Sequence, residues 1–158
     1  MTAEQGSRVL VTGGSGFIGR RLVRALLDSG AEVTVADLHE PTEPGVHAVV
    51  GDLRDESVAA RAVSPGTDMI FHLAAVTSVL RSLEDPVGTY QTNVQATATL
   101  LELARARRVG GFIMASTNAV VGDVGSSVIT EEAPLHPLTP YGATKAAGVM
   151  LLCCYTAA

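Results

Sequence analysis

The sequence is short of cysteine, of basic charge and of long apolar runs, and each shortage removes a class of protein. Its two cysteines, Cys153 and Cys154, are adjacent within an apolar stretch, which fits neither a disulfide framework nor metal-ligand spacing. Free thiols buried in a core are the expectation, and no metal site is expected. Sixteen acidic residues outnumber 11 basic ones, for a formal charge of -5. Arg105, Arg107 and Arg108 cluster, but such a group is most simply a solvated helix end, so nucleic acid is not an expected partner. No apolar stretch approaches the roughly 18 residues that cross a bilayer. Met1 to Ser7 has neither the basic start nor the apolar centre of a secretory leader. A soluble, cytoplasmic protein without a membrane partner is the expectation. Internal repeats and low-complexity tracts are also missing.

What is present reads as one α/β domain. A chain of 158 residues buries roughly 70% of the surface its unfolded form exposes, enough for a core without disulfides or metal. Short β-branched runs at Arg8 to Val11, Glu32 to Ala36, Val46 to Val50, Met69 to His72 and Phe112 to Ala115 predict strands. Because they are almost continuously apolar, they predict a parallel sheet covered on both faces. Between them, Phe17 to Ser29 carries a helical stripe of Ile18, Leu22, Val23, Leu26 and Leu27 ending at Gly30. Asp55 to Val63, Val87 to Arg107 and Tyr141 to Tyr155 predict further helices. Asn118 to Pro140 predicts a long loop, and loops of that length are usually functional or mobile.

The first turn carries the clearest chemistry. Gly14, Gly16 and Gly19 within Thr12-Gly13-Gly14-Ser15-Gly16-Phe17-Ile18-Gly19 follow a strand and open a helix, the setting of a dinucleotide-binding turn. Glycine is needed there so that the chain turns tightly, its backbone approaches a pyrophosphate, and the helix packs on the sheet. The helix N-terminus then offers unpaired N–H groups to the phosphates. Asp37 ends the second strand 18 residues beyond Gly19, close to the roughly 20 expected for a ribose-binding carboxylate. A 2′-phosphate would be repelled there, so NAD is the expected cofactor over NADP. The competing reading is a glycine turn that binds nothing and an Asp that merely ends a strand.

Tyr141 and Lys145 stand four apart at the start of a helix and so share one face. An ammonium and a helix N-terminus both favour phenolate over a phenol whose ordinary pKa is about 10, which would let Tyr141 exchange a proton with a substrate hydroxyl. The alternative is a part-buried Tyr beside a solvated Lys. Ser116 and Thr117 follow the fifth strand, at the edge where open α/β sheets bind ligands, although hydroxyls there also form turns with their own backbone. Asn93 falls inside a predicted helix, where it is either exposed or bonded through its amide.

These residues, with Gly51-Asp52-Leu53, His72-Leu73-Ala74-Ala75, Val79, Ser82 and Tyr141-Gly142-Ala143-Thr144-Lys145, resemble the extended short-chain dehydrogenase/reductase family. The likeness is to its nucleotide-sugar epimerase/dehydratase branch, of the UDP-glucose 4-epimerase type, and runs from Arg8 to about Tyr155. The resemblance implies a Rossmann-type doubly wound sheet filling residues 1–158, with Gly13, Gly14, Ser15, Gly16, Phe17, Ile18, Gly19 and Asp37 at the cofactor. It also implies Asp52 and Leu53 beside the adenine, and Leu73, Ala74 and Ala75 along the cofactor toward the nicotinamide. Thr117, Tyr141 and Lys145 become the catalytic group, with Tyr141 and Lys145 also touching cofactor and with Ser116 and Asn93 in support. The implied reaction is Tyr-assisted hydride transfer at a sugar hydroxyl, with return of hydride to the opposite face giving an epimer.

The pattern departs from that family in two ways. Where its 4,6-dehydratases carry an acidic pair after the catalytic Thr, this chain has Asn118 and Ala119, neither of which titrates as an acid or base near neutral pH. Epimerase or simple dehydrogenase therefore ranks above dehydratase. The resemblance also implies members roughly twice as long, so their C-terminal substrate lobe is expected to lie outside this chain. Since remote binding energy positions the reacting carbon, a catalytically incomplete NAD-binding module is one alternative. An NAD-dependent dehydrogenase or reductase of a small carbonyl substrate is another. Met150 to Cys154 would form an exposed apolar patch, which predicts self-association, with a homodimer as one form of it.

Overall fold

The computed structural model describes residues 5–126 and 128–157. It contains five parallel strands, β1 (Arg8–Thr12), β2 (Glu32–Asp37), β3 (His47–Val50), β4 (Met69–His72) and β5 (Gly111–Met114). The helices are α1 (Phe17–Asp28), α2 (Glu56–Ala62), α3 (Val79–Glu84), α4 (Pro86–Tyr90), α5 (Ala96–Ala106) and α6 (Pro140–Ala157). Two compact units divide them: residues 1–74 with 99–115, and residues 75–98 with 116–158.

The first unit is built on the sheet, ordered β3-β2-β1-β4-β5. That order places β1 centrally and reverses direction at β1, as in Rossmann-type folds. Leu10, Val11 and Ile70 are fully buried and Val35 nearly so, as near-continuous apolar strands require. Helix α1 packs Val23 and Leu26 into this core. It ends as the sequence predicts: Gly30 takes φ +84, its N–H bonds the Leu27 carbonyl and the Ala31 N–H bonds that of Leu26, a Schellman closure. Ile18, expected in the apolar stripe, instead lies 65% exposed beside the 83% exposed Phe17. Asp55 caps α2 through the Ser57 N–H. Of the arginine cluster, Arg105 pairs with Glu102, but Arg107 donates to the Ala60 carbonyl at 2.8 Å. It is therefore a tether between α5 and α2 rather than a solvated end.

The second unit is more irregular than its sequence suggests. The single helix expected from Val87 to Arg107 is interrupted at Gln91–Gln95 by a π-helical stretch, and the short helix α3 precedes it unforeseen. The expected long loop from Asn118 is pinned near its start. The His136 N–H bonds the Val120 carbonyl at 2.9 Å, and Gly122, at φ +70, sits where any Cβ would overlap the His136 carbonyl oxygen. Val120 and Val121 pack with Ala146 of α6. Cys153 and Cys154, expected to be buried, are free and exposed. The buried residues of α6, among them Thr144, Lys145 and Ala146, lie in its first half; Cys153 shares the face of Ala146 seven residues on, but beyond Gly148 no described residue of the helix is fully buried. Leu151 and Leu152 are half-buried. Among the described residues, no helix is long and apolar enough to cross a membrane, and no cluster of three or more His, Cys, Asp or Glu is arranged to hold a metal.

Helix α1 seats on the sheet only because two glycines lack side chains. A Cβ on Gly19 would overlap the Gly13 carbonyl oxygen and lie 2.6 Å from Gly14 Cα; one on Gly14 would lie 2.6 Å from Val35 Cγ1. Since backbone cannot yield as a flexible side chain can, Gly19→Ala is expected to cost about 2–4 kcal/mol. A urea-unfolding midpoint unchanged in that variant would contradict the packing described.

Candidate functional site

The chain leaves β1 through a turn whose every main-chain contact is short. Gly13 takes φ +70 and donates to the Ala36 carbonyl at 2.8 Å, and the Gly16 N–H returns to the Gly13 carbonyl at 3.1 Å. A Cβ on Gly13 would stand 2.7 Å from the Ala74 nitrogen. Beneath the turn, buried Thr12 bonds His72 Nδ1 through Oγ1 at 2.7 Å and accepts the Ala74 N–H at 3.3 Å, while the Leu73 N–H reaches the Thr12 carbonyl. Leu73 and Ala74 are thus tied to the glycine turn, a role for Thr12 and His72 that no sequence pattern announces.

Gly16 differs from its neighbours. Its Cβ would meet nothing within 4 Å except the Gly13 carbonyl oxygen, at 3.2 Å, so the protein's own packing demands glycine there least. The α1 N-terminus it introduces has no side-chain cap and no acidic residue in its first turn. Its first N–H groups, which have no partner within the helix, are left for an anion. Asp37 stands next to this opening. One carboxylate oxygen accepts the Ser15 N–H at 3.0 Å and the other the His39 N–H at 3.0 Å, which fixes the group while leaving lone pairs for hydroxyl donors. Ser15 Oγ donates to the His39 carbonyl, and Arg20 Nε to the Ser15 carbonyl. These residues fit a dinucleotide's pyrophosphate and ribose. Asp52 is occupied differently: Arg54 grips it through Nε at 2.8 Å and its main-chain N–H at 2.9 Å. That guanidinium holds the Asp52 carboxyl below the usual carboxylate range, against the opposing effect of burial. The adjacent Leu53 is buried.

Ala75, Asn93, Ser116, Thr117, Tyr141 and Lys145 belong to the second unit. Asn93 lies in the π-helical stretch and is 3% exposed, which decides between the two readings its sequence position allowed. Its Oδ1 accepts the Val76 N–H at 2.8 Å; its Nδ2 donates to the Val76 carbonyl at 2.9 Å and to Thr144 Oγ1 at 3.1 Å. Thr144 in turn donates to the Tyr141 carbonyl at 2.8 Å. Helix α6 is fully capped, unlike α1. Pro140 has no N–H, the Tyr141 N–H bonds Ser82 Oγ at 3.1 Å, and the Gly142 N–H bonds Thr139 Oγ1 at 3.1 Å. Gly142 also lets the turn at Asn118–Val120 approach, since a Cβ there would lie 2.5 Å from the Ala119 carbonyl oxygen. Thr117 caps that turn by accepting the Ala119 N–H at 3.2 Å, and its hydroxyl leans on Asn118 Oδ1 at 3.4 Å. Ser116 is exposed.

Lys145 is not the solvated partner of a tyrosine. It is 6% exposed, and among the described residues no carboxylate pairs with it. Burial pushes its ammonium below the ordinary lysine value.

The chain matches known proteins over most of its length. A model of the NAD dependent epimerase/dehydratase family matches residues 9–158. The chain is 39% identical to a dTDP-glucose 4,6-dehydratase of Streptomyces niveus, over 91% of this chain and 48% of that protein. Among solved structures it is similar to the Thermus thermophilus UDP-glucose 4-epimerase in complex with NAD, with TM-score 0.88 and 39% identity, covering 95% of this chain and 51% of that one. It is also similar to a dTDP-glucose 4,6-dehydratase from Streptomyces venezuelae with NAD and TYD bound, with TM-score 0.86 and 37% identity, covering 95% and 52%. The chain spans about half the length of the curated relatives it matches.

The buried ammonium has a measurable signature. With its folded pKa below the ordinary 10.5, the folded chain binds fewer protons than the unfolded chain between those two values, so stability rises with pH through that window and is lowest below it. Lys145→Met should be more resistant to urea than wild type at about pH 7.5, with the advantage shrinking as the pH is raised toward 10.5. An advantage independent of pH would mean that the ammonium is not desolvated.

Proposed function

From the premise that the chain belongs to the NAD dependent epimerase/dehydratase family, we propose that it is an NAD-binding domain acting in nucleotide-sugar epimerisation by Tyr-assisted hydride transfer. The observation that carries NAD is Gly16, the least crowded of the four glycines of the turn, at the mouth of an uncapped helix with Asp37 held beside it. In this reading Gly14, Gly16 and Gly19 admit the pyrophosphate, and Asp37 accepts the adenosine ribose hydroxyls and rejects a 2′-phosphate. Bound NAD supplies a reversible hydride acceptor.

The chain's own residues handle the proton. Tyr141 Oη takes it from a sugar hydroxyl, the Lys145 ammonium stabilises the phenolate, and Thr117, whose contact with Asn118 is long and easily exchanged, holds the reacting oxygen. Relatives of similar identity carry both the epimerase and the 4,6-dehydratase names, so identity does not choose between the reactions. Asn118 and Ala119 rank epimerisation above dehydration, because water elimination needs an acid and a base and these positions provide neither. The free thiols of Cys153 and Cys154 suit a reducing cytoplasm, and the exposed stripe they share with Met150 suits a homodimer.

Calorimetric titration of the purified chain with NAD, then with UDP-glucose, tests the proposal. A heat of binding for each, and turnover, supports it; NAD binding with no sugar-nucleotide response supports a binding module, and no NAD binding overturns the cradle assignment. Gly16→Val is expected to abolish NAD binding. Tyr141→Phe should abolish turnover and leave NAD affinity nearly unchanged, and turnover persisting in that variant would remove Tyr141 from the chemistry.

A further inference from the structure

Tyr141 is held by its backbone as well as by its place on a helix. The hydroxyl of Ser82, on α3, is completely buried and makes two bonds, donating to the Val79 carbonyl at 2.6 Å and accepting the Tyr141 N–H at 3.1 Å. The first bond spends the hydroxyl's only proton, so its lone pairs are aimed at the second and the polarity of the contact is fixed. On the other side, the Tyr141 carbonyl accepts from Thr144, which Asn93 holds in turn. The second position of α6 is one of those whose N–H has no partner within the helix. Thr139 serves the third position and proline occupies the first, so Ser82 is what prevents the opening turn of α6 from fraying at Tyr141.

α3 is itself firmly placed. Ser78 caps it through the Arg81 N–H, and the Ser82 N–H returns to the Ser78 carbonyl at 3.0 Å. A helix of six residues contributes little stability alone. What it delivers is one buried hydroxyl at one backbone donor.

We propose that Ser82 is a positioning residue for Tyr141, fixing the phenol by accepting the backbone N–H of the residue that carries it. This rests on the proposed role of Tyr141 in proton transfer. Ser82 touches neither substrate nor cofactor in this scheme, and its removal should cost chemistry rather than binding.

The experiment compares wild type, Ser82→Ala, Ser82→Thr and Ser82→Cys as full chains. Threonine in a helix can make the same bond to the carbonyl three residues back, and cysteine keeps the volume with a weaker acceptor. With NAD and UDP-glucose, Ser82→Ala is expected to lose roughly 10- to 100-fold in kcat, as small displacements of reacting groups do, with KM and NAD affinity within about twofold. Ser82→Thr should recover most of the loss, and Ser82→Cys should fall between. A folded Ser82→Ala chain with wild-type kcat overturns the proposal, as does equal loss in kcat and in NAD affinity.

If wild type shows no turnover, the functional reading fails by itself and the clamp is read by NMR of the ring carbons of Tyr90, Tyr141 and Tyr155. A Tyr141 signal that moves in Ser82→Ala, or in Ser82→Cys if the alanine variant does not fold, while the other two stay in place supports the clamp. A Tyr141 signal unmoved in a folded variant overturns it.

Discussion

The first unit depends on one close approach, the passage of the β1–α1 turn against the segment leaving β4. Gly13 can lie where it does because no Cβ stands between it and Ala74, and Thr12 secures the approach from below by binding both the Ala74 N–H and the His72 ring. With that contact made, Gly14 rests on Val35 and Gly19 on Gly13. The first turn of α1 then projects its N–H groups beyond the sheet. Sterics so tight leave one backbone path, and that path also leaves a helix end uncapped.

The two long functional helices handle their N-termini in opposite ways. Helix α6 has every early donor answered by a hydroxyl of the protein or removed by proline, so the field of its N-terminus acts on its own side chains. Helix α1 has no side-chain cap, and the nearby carboxylate of Asp37 is held by the Ser15 and His39 N–H groups instead of closing the helix end. Lys145 adds a charge whose burial is answered by no carboxylate of the described residues.

The sheet was legible because strands buried on both faces must be apolar, and all five appear where β-branched runs stand, with ends within a residue or so. The glycine turn and Asp37 were legible because their reasons are local. Long-range bonds were not. Asn93 reads as ambiguous until Val76 and Thr144 reach it, and the π-helical stretch that presents it has no signature in Gln91 to Gln95. Ser82 and Thr144 look like ordinary small polar residues. Cys153 and Cys154 were misjudged because an all-apolar helix does not declare which side is covered, and Ile18 because its place at the helix mouth outweighs its place in the stripe.

The His136–Val120 bond and the glycine at position 122 close the connection before α6 at its base, which alters what that stretch can tolerate over evolutionary time. The Gly125 turn beyond this closure is free to change in length, since each doubling of a loop costs only about 0.6 kcal/mol of closure entropy. Residues added there would lengthen a loop already tied off, leaving Thr117 and Tyr141 in register. Lineages could therefore remodel this loop without disturbing the placement of Thr117 or Tyr141.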